Sequence, residues 1–146
     1  MLQPPCPRPL AVACVIVLCA AAAADEPKGA RMDLRGEVIV FVATEDATLA
    51  GAYAKERLDE AQRLRACLEE ARKPLEKLGF KVIDATRTVT PLEFRHGRDP
   101  RVHIDPNAFT GTIVFTRGRR PVVRSGVETT EELLGRVEGY RRSRRR

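Results

Sequence analysis

Two apolar runs on either side of a long amphipathic stretch constrain this chain more than any other feature. Residues 37–44 read EVIVFVAT and residues 80–85 read FKVIDA. The first is continuous and rich in β-branched side chains, the pattern of a strand buried on both faces of a sheet. Between the runs, Leu58, Ala61, Leu64, Leu68, Ala71, Leu75 and Leu78 recur at spacings of three and four. That spacing places them on one stripe of a helix over residues 47–78. Glu56, Asp59, Glu60, Arg63, Glu69, Glu70, Arg72, Lys73 and Lys77 occupy the other side as a solvated face. Pro74 lacks a backbone donor and predicts a kink or break. Gly79 stands where helix C-termini are commonly closed. Strand, helix and strand in this order predict a parallel pair with a right-handed crossover, the core of an α/β fold.

The second half carries further strands. TIVFT (112–116) reads as a third buried strand, Arg117–Arg120 as a turn, and PVVR (121–124) as a fourth strand. Pro121 cannot donate to a ladder, so that strand is expected at the sheet edge. Thr129 and Glu132 form a capping-box pair, and Leu133, Leu134, Val137 and Tyr140 give the following helix one apolar face. Thr90-Pro91-Leu92-Glu93 also reads as a helix start, with Gly97 stopping it after about two turns. The segment RDPRVHIDPNAF (98–109) contains two Asp-Pro steps and reads as loop with a short extended piece. Residues 25–35 are polar and predict a loose lead-in.

The amino terminus predicts export. Arg8 is followed by an apolar run from Leu10 to Ala24 that ends in small residues before Asp25. This is the layout of a cleaved secretory signal over residues 1–24. A membrane anchor and a lipoprotein attached through Cys14 or Cys19 are the alternatives, but the run is shorter than a spanning helix needs. Cleavage after Ala24 leaves 122 residues, enough for one domain with one core over residues 36–140. It also removes Cys6, Cys14 and Cys19, so Cys67 alone remains. The protein is then expected in the periplasm or outside the cell, where disulfides form, with one thiol that has no internal partner.

The formal charge of +6 is read as a property of the end of the chain. Arg141, Arg142, Arg144, Arg145 and Arg146 close the sequence, and without them and Arg8 the charges balance. A disordered basic tail over 141–146 is expected, able to touch an anionic envelope surface. Export and the absence of an aromatic platform argue against nucleic acid.

The order β–α–β, short helix, β–β–α over residues 36–140 resembles the thioredoxin fold. TIVFTRGRRPVVRSGVETTEELLGRV (112–137) looks like its closing hairpin and last helix, and Pro74 matches the proline that thioredoxins often carry in the helix after their active site. The chain is also similar to small exported bacterial domains of unknown function with a thioredoxin-like pattern and an Arg-rich end. The resemblance implies a Cys-x-x-Cys between the first core strand and its helix, and a cis-proline before the third. Here those places read ATEDATLAGAYA (43–54) and Gly111. Dithiol exchange, which needs a low-pKa thiolate and a resolving neighbour, is therefore not expected.

Three groups remain as candidate sites. Cys67 flanks the helical stripe and reads as a small buried hydrophobe, or else as a lone thiol that forms a mixed disulfide. His96, Asp99, His103 and Asp105 are metal-ligating types within ten residues, although Gly97 and Pro100 keep the histidines off a common helical face. Glu45 and Asp46 follow the first core strand, where ligands of α/β sheets bind and where acids also favour a helix start. No nucleotide or hydrolase motif is present, and no cofactor is expected. The sequence therefore predicts a binding or scaffold module for an unknown protein or an anionic surface. The alternative is a one-cysteine redox protein acting through Cys67.

Overall fold

Val38–Val42 is buried at every residue, and the reason is a cover on each side. In the computed structural model, which describes residues 30–44, 51–98 and 101–143, this segment is β2. Ile39, Phe41 and the following Ala43 point into one apolar cluster, and Val38, Val40 and Val42 into another. The period of two distributes a continuous apolar run over two cores.

The chain order is β1 (Ala30–Leu34), β2, a 3-10 turn (Gly51–Tyr53), α1 (Ala54–Lys77), β3 (Lys81–Ala85), β4 (Leu92–His96), β5 (Val102–Ile104), β6 (Gly111–Phe115), β7 (Val122–Ser125) and α2 (Thr130–Arg142). The central sheet has the order β3-β2-β6-β7. In it β2 runs parallel to β3, and β6 antiparallel to both β2 and β7. A second sheet, β1-β4-β5, has β1 parallel to β4 and β5 antiparallel to β4. Helices α1 and α2 cover one face of the central sheet and the small sheet covers the other, giving a mixed α/β architecture of three layers.

On the helical side, Leu64, Leu68, Ala71 and Leu75 of α1 and Leu133 and Val137 of α2 pack on Ile39, Phe41 and Val114. Helix α1 continues past Pro74 to Lys77. Near a C-terminus the missing N–H costs one bond in the last turns, and no break follows. The end is closed by two bonds, Gly79 N–H to the Glu76 carbonyl (2.9 Å) and Phe80 N–H to the Leu75 carbonyl (3.0 Å). Gly79 has φ 89°, the left-handed conformation this closure requires and glycine adopts freely. Buried Phe80 and Leu75 add the apolar contact that accompanies it. Helix α2 starts on the expected capping box: Thr129 Oγ1 accepts from Glu132 N–H, and Glu132 Oε2 from Thr129 N–H.

The other cover differs from expectation. Residues 30–34 belong to the supposed lead-in but form β1, whose Met32 and Leu34 turn inward beside Leu92 and Phe94. The helix expected after Thr90 is instead β4. Its burial alternates, with Leu92, Phe94 and His96 inside and Glu93 and Arg95 outward. LEFRH places apolar groups two apart, which suits a half-buried strand, and that spacing overrides the local capping signal. The short extended piece expected in 98–109 is β5. Strand β7 lies at the edge, as Pro121 predicts. Arg141 and Arg142 belong to the last turn of α2, not to a disordered tail, and Arg142 pairs with Glu138 at 3.3 Å. Arg144–Arg146 and the signal-like residues 1–24 lie outside the described residues. Among the described residues no helix is long and apolar enough to cross a membrane.

Candidate functional site

Cys67 is the free cysteine of the described residues, and it is buried at 6% exposure. On α1 it lines a shallow depression together with Arg63 and Glu70 of the same helix and Val127–Thr130 of the segment that leads into α2. Burial pushes the thiol up, and the Glu128 and Glu70 carboxylates push in the same direction. The Thr130 hydroxyl works the other way, but its single hydrogen goes to Glu70 Oε2 at 2.7 Å. A thiolate here would be desolvated and face two carboxylates, so the attacking species of disulfide exchange is disfavoured.

The described members of the histidine–carboxylate group, His96, His103 and Asp105, do not come together. His96 points inward at 5% exposure and packs at a 44° tilt against Phe115 with centroids 5.6 Å apart. Its Nε2 lies 2.7 Å from the Gly36 carbonyl, an acceptor, so Nε2–H donates. His103 sits opposite Glu93 in the β4–β5 ladder and is exposed on the outer face. Strand alternation thus separates the two rings. Asp105 Oδ1 accepts the Asn107 N–H at 2.9 Å and shapes a turn, while Asp99 lies outside the described residues. Among the described residues no three His, Cys, Asp or Glu side chains come together to hold a metal.

Glu45 and Asp46 also lie outside the described residues. The neighbouring carboxyl ends of β2 and β3 carry the buried hydroxyls of Thr44 and Thr86. Beside them Asp84 Oδ1 accepts both the Thr86 N–H (3.0 Å) and the Thr86 hydroxyl (2.6 Å). Partial burial opposes the Asp84 charge, but the Thr86 donors, with help from Arg72 and Arg87, hold its carboxyl below the usual range. Such a carboxylate caps a turn and is a weak proton acceptor. Gly111 pairs with Val42 across β2–β6. A Cβ at Gly111 would stand 2.0 Å from the Arg124 carbonyl oxygen, so this close approach of β6 to β7 admits only glycine. The Arg57 guanidinium donates to the Asn107 carbonyl, tying the start of α1 to the β5–β6 connection.

A polar network holds α2 to the sheet. Arg136 grips Glu128 through Nε (3.0 Å) and Nη2 (2.6 Å), and Nη2 also donates to Thr112 Oγ1 (2.9 Å). Burial opposes the Arg136 charge, but the bonds to Glu128 hold its pKa above the ordinary value. A two-point guanidinium–carboxylate contact, largely covered, fixes the helix rotation as well as its distance from the sheet.

Composition concealed one feature: the folded part has a basic end. Opposite the Gly111 end of β2, Arg35, Arg98 and Arg117 converge on a groove with Gly36, Gly97 and Gly118. These positions are distant in sequence, and balanced totals cannot reveal their clustering. The signal available was the pairing of arginine with a turn glycine at 35–36, 97–98 and 117–118. Compared with family models, with curated proteins and with solved structures, the chain matches none.

Proposed function

We propose that this chain is an exported domain of thioredoxin-like topology that has no dithiol chemistry and acts as a binding or scaffold module. The observation that carries the functional part is the state of Cys67: the one thiol of the described residues, 6% exposed, with burial and two carboxylates raising its pKa. Disulfide exchange needs an accessible thiolate and a resolving partner; Cys67 is largely covered, and among the described residues no second cysteine stands beside it. The topological part is supported by the strand order β3-β2-β6-β7, with β2 and β3 parallel and β6 and β7 antiparallel, and by α1 and α2 on one face. The small sheet β1-β4-β5 takes the opposite face, and its β4 stands where the Thr90–Glu93 capping signal predicts a short helix. On this reading Gly111 corresponds to the position where the resemblance implies a cis-proline.

Reduction of insulin disulfides tests the reading. The purified protein is expected to give no turnover above the dithiothreitol background, and Cys67→Ser is expected to leave that result unchanged. Catalysed turnover lost on Cys67→Ser would establish the one-cysteine redox alternative instead.

A further inference from the structure

Three turns meet at the basic end of the molecule, and each sets an arginine beside a glycine: Arg35-Gly36 after β1, Gly97-Arg98 after β4, and Arg117-Gly118 after β6. With Leu34 and His96 they line an open groove of about 370 Å³. A second depression of about 400 Å³ adjoins it, bordered by Arg35, Arg117 and Lys81. All three arginines are exposed. Among the described residues none of them forms an ion pair. Glu37 also borders the second depression, but it does not line the first.

Bringing three cations into one groove costs self-repulsion, and a bound anion relieves it. Guanidinium groups present planar forks of N–H donors that match the oxygens of a phosphoryl group. Three positive charges suit a dianion better than a single carboxylate. The floor is open as well: a Cβ at Gly36, Gly97 or Gly118 would meet nothing within 4 Å, so an oxyanion can come close to the backbone. The turns are also held in place before any ligand arrives. His96 Nε2–H ties the end of β4 to the Gly36 carbonyl. Arg119 Nη1 donates to Ser143 Oγ at 3.0 Å, joining the β6–β7 turn to the end of α2. Such prior positioning lowers the ordering cost of binding.

We propose that this groove binds a phosphoryl group, presented either by a small phosphate compound or by a lipid headgroup. The proposal names a ligand for the binding module described above and rests on that reading. The test is a titration of ¹⁵N-labelled protein, expressed from the full sequence, with inorganic phosphate against chloride at equal ionic strength. Saturable shifts of the Gly36, Gly97 and Gly118 amides are expected with phosphate and not with chloride. Arg98→Gln and Arg117→Gln are each expected to weaken binding by about tenfold or more, and Arg31→Gln on β1 is expected to leave it unchanged. The variants alter exposed side chains, and a preserved amide spectrum verifies their fold. Vesicles of phosphatidylglycerol that bind the wild type but not the two variants would place the phosphoryl group on a lipid. Phosphate binding without vesicle binding would place it on a small compound. Shifts that match chloride, fail to saturate, or survive both substitutions overturn the proposal. Insulin turnover by the same protein would sink the non-redox reading separately, whatever the phosphate result.

Discussion

The two faces of the central sheet are closed by different means, and they carry different chemistry. Helices α1 and α2 seal one face, and Cys67 lies inside that seal. The β1-β4-β5 sheet closes the other, and the carboxyl ends of β1 and β4 run out into the Arg35 and Arg98 turns of the basic groove. The same strand, β2, feeds both cores from alternate residues. A reactive-looking residue type on the helical face is thus largely covered by packing. Residues on the other face that look like ordinary surface charge are drawn together by strand ends. In this molecule, placement rather than residue type decides which groups are available to a ligand.

The largest expected effect tests whether the two covers matter equally. Phe94 on β4 and Leu68 on α1 are both fully buried. Phe94→Ala is expected to lower unfolding free energy by about 3–5 kcal/mol and Leu68→Ala by about 2–5 kcal/mol, by denaturant titration. A cost near zero for Phe94→Ala would show that the small sheet is not a true second cover.

Arg136→Ala comes next. It would leave Glu128 without its closest cation in a largely covered place, and a loss of about 2–3 kcal/mol is expected. Thr129→Ala removes one half of the α2 capping box and is expected to cost about 1 kcal/mol. The smallest effect belongs to the basic groove: Arg98→Gln and Arg117→Gln are expected to change stability by less than about 0.5 kcal/mol. A larger loss from either would mark the arginines as structural and blur the contrast between the faces.

Acid unfolding adds a pH-dependent check. The Asp84 carboxyl is held low in the fold, so it binds its proton more readily in the unfolded chain. Its contribution is present above the ordinary carboxylate range and is lost as pH falls through the lowered folded value. Asp84→Asn is therefore expected to lessen the stability difference between neutral and acid pH, measured by thermal melts across that range.

The helical face was legible because its signals are local. The three-and-four spacing of Leu64, Leu68, Ala71 and Leu75 lies within one element, as does the Thr129–Glu132 pair. Strand β2 announced itself by a run of five apolar residues. The other face was misread for the opposite reason. ARMDL in β1 contains three polar or small residues that are exposed, and its partner β4 lies about sixty positions on. Only the parallel register of Ala30–Leu34 with Leu92–His96 gives either strand its cover. The Thr90–Glu93 capping signal is valid local chemistry, but burial of Leu92, Phe94 and His96 on one side outweighs it. The site residues divide in the same way. Cys67 beside an apolar stripe reads as buried, and it is. The His96–Asp105 group was read from proximity in sequence, which alternation along β4 and β5 undoes. The convergence of Arg35, Arg98 and Arg117 is a property of the topology alone.

The most direct test of the central claim is the rate at which Cys67 reacts with an excess of a neutral alkylating reagent at pH 7.5, in the folded protein and in denaturant. Folding is expected to slow the reaction by about two orders of magnitude or more, because the thiol is buried and its thiolate disfavoured. A folded-state rate equal to or above that of the unfolded chain would mean an accessible, activated thiol, and would contradict the reading of this protein as a module without thiol chemistry.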